Sequence, residues 1–208
     1  MLFRSRPIRT GHGRVNALTQ THDGDLVSGG DNGLVNIWRD GQVVVTFATQ
    51  QQGVASLTTL RDGSLMTGGK DGSLKRWSIQ GHPLGEAAIQ TRHGAVWAIS
   101  ELPNGDLLTG GDDGHLRRWR QGRQLGPTIE TPHAAVVSLV IRRNGDWVTG
   151  GSGGRIQIYR NGQPLANEFQ SGFGSIWSLI ERRDGELISA NGDGTIYIYP
   201  TPARAIRN

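Results

Sequence analysis

The chain has 208 residues, no cysteine, 22 basic against 18 acidic side chains, and 32 glycines, about twice the usual glycine share of roughly 7%. The glycines lack the every-third-residue spacing of collagen, and six tryptophans supply apolar mass that a disordered polymer lacks. Long helices are excluded, since each interior glycine costs a helix about 1 kcal/mol, and the missing cysteines exclude disulfides, thiolate zinc sites and cysteine nucleophiles.

The N-terminus, from Met1 to Pro7, carries charges with no apolar run behind them, so it does not read as a signal peptide. No stretch approaches the roughly 18 apolar residues of a membrane helix, and a cytoplasmic protein is the expectation. Beyond this segment one line of sequence recurs. It runs from Leu26 to Trp38, Leu65 to Trp77, Leu107 to Trp119, Trp147 to Tyr159 and Leu187 to Tyr199, with periods of 39, 42, 40 and 40. A fixed period of about 40 residues is the signature of a repeat architecture.

Each copy reads as four short strands. The first begins at Val15, Val54, Val96, Val136 or Ile176 and ends at Asp23-Gly24, Asp62-Gly63, Asn104-Gly105, Asn144-Gly145 or Asp184-Gly185. These dipeptides suit type I′ hairpins. A second strand runs into a Gly-Gly pair and a third ends at the aromatic residue. In four copies a glycine turn then leads to a fourth strand. Four antiparallel strands per period make one propeller blade. The expected architecture is all-β: a single propeller of five four-stranded blades spanning 1–208. Blade 1 covers about 12–50, blade 2 about 52–91, blade 3 about 93–131, blade 4 about 133–171, and blade 5 about 173–200 plus 1–11. Ile8-Arg9-Thr10 aligns with Ile129-Glu130-Thr131, so the N-terminal strand is expected to complete the last blade and close the ring, hiding sheet edges.

The Gly11-His12 pair and the Gly-Gly turns ending in Trp resemble the WD-repeat (WD40) propeller family over the whole chain. The copies depart from its Trp-Asp ending: Trp38 precedes Arg39, Trp77 precedes Ser78 and Trp119 precedes Arg120. The resemblance implies a polar network inside each blade. Blade 3 carries all of it, with His93, Thr109, Asp113 and Trp119. Asn32 replaces the acid in blade 1 and Gln52 the histidine in blade 2. Blade 4 has Gly153 and Tyr159, and blade 5 has Phe173 and Tyr199. A half-satisfied buried network is costly, so blade 3 is expected to be the most rigid and blade 4 to rely on packing.

No catalytic, cofactor or metal site emerges. The histidines show no zinc spacing, Asp112-Asp113-Gly114 lacks the further ligands of a calcium loop, and Gly68 to Asp71 is no phosphate loop. An enzyme is not expected. The resemblance implies two faces and a central channel, on which another protein docks. Candidate partner-binding residues are Asp31, Lys70, Trp97, Asp112, His115 and Trp177, which lie at positions that vary between copies while the framework repeats. A basic rim on the opposite face collects Arg120, Arg123, Arg142, Arg143, Arg182 and Arg183, diluted by nearby acids. The leading expectation is a protein–protein interaction scaffold with no cofactor, no metal and no membrane. The alternatives are a lectin-like carbohydrate binder, or a weak binder of acidic partners or nucleic acid through the arginine rim. A multivalent lectin would repeat one pocket in every blade, and here the surface positions differ from copy to copy.

Overall fold

The structure, a computed structural model, describes residues 7–85, 87–170 and 174–200, with backbone alone at 167–170. Among these residues every regular element is a β-strand, and the strands form five antiparallel sheets, the blades of a five-bladed β-propeller. Blade 1 is β1 (Val15–Gln20), β2 (Leu26–Gly30), β3 (Leu34–Arg39) and β4 (Gln42–Ala48). Blade 2 is β5 (Val54–Thr59), β6 (Leu65–Gly69), β7 (Ser73–Trp77) and a short β8 (Ile89–Gln90). Blade 3 is β9 (Val96–Glu101), β10 (Leu107–Gly111), β11 (His115–Arg120) and β12 (Arg123–Glu130). Blade 4 is β13 (Val136–Ile141), β14 (Trp147–Gly151), β15 (Arg155–Arg160) and β16 (Gln163–Gln170). Blade 5 holds β17 (Ile176–Glu181), β18 (Leu187–Asn191) and β19 (Ile196–Tyr199). Each sheet is a meander in chain order, with neighbours in sequence paired in space.

The turns follow from the glycines, with one correction to the expected types. In the first hairpin of each blade the glycine alone has positive φ. Gly24 donates to the Thr21 carbonyl at 3.1 Å and Gly105 to the Leu102 carbonyl at 2.9 Å. These are type I turns closed by a left-handed glycine, because the Asp or Asn before it keeps negative φ. The type I′ pairs sit two hairpins later, between the third and fourth strands. Asp40-Gly41, Gln121-Gly122 and Asn161-Gly162 have positive φ at both residues.

The first glycine of each Gly-Gly pair has another role. It lies on the second strand, where a methyl on Gly110 would come within 2.6 Å of Val136 and one on Gly150 within 2.7 Å of Ile176. The apolar core therefore forms between blades. Val27, Val35 and Ile37 of blade 1 meet Val54, Leu57, Leu65 and Trp77 of blade 2. Three more such layers bind blades 2 to 3, 3 to 4 and 4 to 5. Burial of these side chains against the neighbouring blade is the main stabilising term.

Among the described residues blades 5 and 1 share no such layer. Leu18 is 60% exposed where its repeat equivalent Leu57 is 9%, and Ile196 is 70% exposed where Ile156 is 1%. The expected fourth strand of blade 5 is not made by residues 7–10, which are not in a strand, and residues 1–6 lie outside the described residues. Thr10 is held by blade 1 instead, its carbonyl accepting from Asn36 Nδ2 at 2.9 Å, as Thr49 O accepts from Lys75 Nζ at 2.7 Å. On the preceding side the pattern breaks. The hydroxyls of Thr49 and Thr91 donate to the Gly33 and Gly72 carbonyls at 2.8 and 2.7 Å. A methyl on Gly33 or Gly72 would strike the next segment at 2.7 Å, whereas one on Gly194 would meet nothing within 4 Å.

Candidate functional site

Every innermost strand is irregular at one place. Val15 pairs with Gly30 and Ala17 with Gly29, leaving Asn16 as an extra residue, and the same slip recurs at Ala55, Trp97, Val137 and Trp177. Such a bulge bends the strand and re-aims its side chain. These side chains turn into the central channel, which has a volume of about 930 Å³ and is lined by all five inner strands, including Asn16, Trp97 and Trp177. The bulged position is also where the copies differ most in chemistry: amide, methyl, indole, isopropyl, indole.

The turns between second and third strands add the next ring of groups. Asp31 accepts from Lys70 Nζ at 2.5 Å and from Asn16 Nδ2 at 2.8 Å, tying blades 1 and 2 across the channel mouth. Those two donors hold the Asp31 carboxyl below its usual range, Lys70 first. Asp112 accepts from Trp97 Nε1 and, through its other oxygen, from the Ala95 amide at 2.9 Å. Trp177 is 62% exposed beside Gly192. Five of the six sequence candidates thus gather at one mouth: Asp31, Lys70, Trp97, Asp112 and Trp177. His115 stands apart, at the start of β11, with its Nδ1 3.6 Å from Asp113 Oδ2.

Deeper in each blade lies the polar network. In blade 3 Trp119 Nε1 and His93 Nε2 both meet Thr109 Oγ1, at 2.9 and 2.8 Å, and His93 Nδ1 meets Asp113 Oδ1 at 2.7 Å. Burial lowers the His93 pKa, while Asp113 opposes the shift. Blade 1 repeats this with His12, Ser28, Trp38 and Asn32. In blade 2 the residue in the histidine's place is Gln51, one before the expected Gln52; its Oε1 accepts from Thr67 Oγ1 at 2.8 Å. The alignment slips easily in the run Gln50-Gln51-Gln52. Phe173 of blade 5 lies outside the described residues.

Three of the six rim arginines pair with acids. Arg120 forks onto Asp106, Arg142 onto Glu181 at 3.1 Å, and Arg182 lies 2.6 Å from Glu186 and 3.2 Å from Asp184. The Arg143 guanidinium donates to the Arg183 carbonyl. Arg123 and Arg183 are exposed. The two arginines before Trp77 and Trp119 pair with acids: Arg76 with Asp62, Arg118 with Asp106 at 2.9 Å. Sequence reading missed a repeated device here. Asp25–Arg39, Asp106–Arg120 and Asp146–Arg160 are two-pronged forks, each pair fourteen residues apart. Forked guanidinium–carboxylate pairs are among the stronger ion pairs. The Arg120 and Arg118 guanidiniums hold buried Asp106 at a pKa of about 2. That fixed spacing was visible in the repeats.

Five β-meander blades around one channel, three of them threaded by this network, make the architecture of a WD-repeat propeller. The chain belongs to the WD domain, G-beta repeat family, which it matches over residues 5–39, 41–78 and 86–120. It is similar to a solved chain from the "Crystal Structure of Mitotic Checkpoint Complex", with a TM-score of 0.76 and 25% identity over 90% of this chain. This chain spans 61% of the length of that one. No curated protein matches it.

Proposed function

We propose that the chain is a non-catalytic scaffold whose protein partner docks on the channel mouth formed by the bulged inner strands and the turns between second and third strands. The observation that carries this reading is the bulge itself. One framework presents five side chains toward the channel, and those side chains are the ones that differ between copies. Asymmetric chemistry on a repeating frame suits one asymmetric partner. The exposed indole of Trp177 and the Trp97–Asp112 pair offer the aromatic anchors that dominate protein interfaces. The similar solved chain comes from a multi-protein complex, which agrees with a protein partner. A sugar-binding reading would need the same pocket in each blade, and acids pair three of the six rim arginines, which reduces the positive charge available to nucleic acid.

The test is affinity capture with the whole chain as bait, comparing wild type with Trp177→Ala and Asp31→Ala, followed by crosslinking to the captured protein. Specific capture that both variants reduce at least ten-fold, with crosslinks at the mouth, supports the reading. Capture that survives both variants and is lost on substituting Arg123 and Arg183 would overturn it.

A further inference from the structure

Blade 4 contains a histidine whose second nitrogen meets no partner among the described residues. His133 is 5% exposed, and its Nε2 lies 2.9 Å from Thr149 Oγ1. Its Nδ1 is buried and has no hydrogen-bond partner among the described residues. Buried polar atoms are rarely left so.

The neighbouring blades show what this atom is built to meet. In blade 3 the Asp113 carboxylate accepts from His93 Nδ1 at 2.7 Å, from the His115 amide at 3.2 Å and from the Arg117 guanidinium at 2.5 Å. In blade 1 the Asn32 amide oxygen takes the same place, 3.1 Å from His12 Nδ1. Blade 4 has Gly153 there, and a methyl on Gly153 would meet nothing within 4 Å. Two residues on, the exposed Arg155 carries a positive charge that disfavours protonation of the His133 ring.

We propose that the space beside Gly153 is a carboxylate-binding site, in which an acidic side chain from a partner takes the position Asp113 holds in blade 3. One oxygen accepts from His133 Nδ1, in the tautomer where Thr149 donates to Nε2. The other oxygen pairs with the Arg155 guanidinium. A planar carboxylate is the group that blade 3 demonstrates in this frame. Burial, with Arg155 second, lowers the His133 pKa to about 4, so the bare ring is neutral. A bound carboxylate reverses the local charge and raises that value. The turn between β14 and β15 belongs to the same set of turns as the proposed mouth. Only the source of the carboxylate therefore rests on the docking reading, and the site itself does not.

The experiment uses the full chain with ¹⁵N-labelled histidine, titrated with sodium acetate at constant ionic strength against sodium chloride. The expected result is a saturable shift of the His133 Nδ1 resonance with millimolar affinity and none at His93, whose place is already filled. Arg155→Ala should weaken acetate at least five-fold and Arg155→Lys should restore most of it. Asp113→Ala should make His93 respond to acetate as well. No saturable acetate shift, or an equal one with chloride, overturns the site. Saturation by inorganic phosphate without acetate binding overturns the carboxylate assignment. Acetate binding with no captured partner counts against the docking reading alone.

Discussion

Thr109 Oγ1 bonds two buried ring nitrogens at once, accepting from the Trp119 indole and donating to His93 Nε2, since His93 Nδ1 gives its proton to Asp113. Thr109→Val keeps the shape and removes the oxygen, leaving both nitrogens buried without it. The expected loss is about 2 kcal/mol, measured by urea unfolding of the two chains. Acid should act through three groups. His133 and His93 titrate below the ordinary histidine value in the fold. The unfolded chain therefore binds protons first, and this contribution is present above about pH 6.5 and lost as pH falls towards 4. Asp106, held at about 2 by Arg120 and Arg118, adds stability above its unfolded value that disappears as pH falls through about 2. A pH series of unfolding midpoints should decline in these two windows, and His133→Gln should flatten the first.

The elements were legible to different degrees. Blade period, strand count per blade and hairpin positions follow directly from apolar runs punctuated by Asp-Gly and Asn-Gly. Turn type was not legible, because a type I turn with a left-handed glycine and a type I′ turn ask for the same dipeptide. Nor does a sequence separate a glycine needed for its φ from one needed for close approach. Gly110 belongs to the second kind, so Gly110→Ala should cost about 1–3 kcal/mol by overpacking Val136, read from unfolding midpoints. Of the mouth, the varying positions were visible as differences between aligned copies. The bulge that aims them was not, since it appears only in strand register. The gap at Gly153 was visible as a missing acid, but the orphaned nitrogen it leaves requires coordinates.

At the scale of the whole molecule, stability comes in layers between blades, and the two outermost faces lack one. The same repeat position can therefore be compared inside and outside a layer. Ile156→Ala should cost about 2–5 kcal/mol, whereas Ile196→Ala should change stability by less than about 0.5 kcal/mol. Equal losses in a calorimetric comparison would show that blades 5 and 1 meet in solution.

Ala190 gives that outer face a further property. It occupies the column filled by Gly29, Gly68, Gly110 and Gly150, where the next blade's β-branched side chain seats. Its methyl stands where another such side chain would have to enter. A repeat whose units are interchangeable invites end-to-end growth, one molecule adding to the next as a heterologous contact that never closes. Here a single carbon atom makes blade 5 unlike the four before it, since a β-branched side chain seated as Val136 is on Gly110 would overlap the Ala190 methyl. Ala190→Gly removes that overlap, and self-association that rises with concentration in sedimentation is the expected outcome.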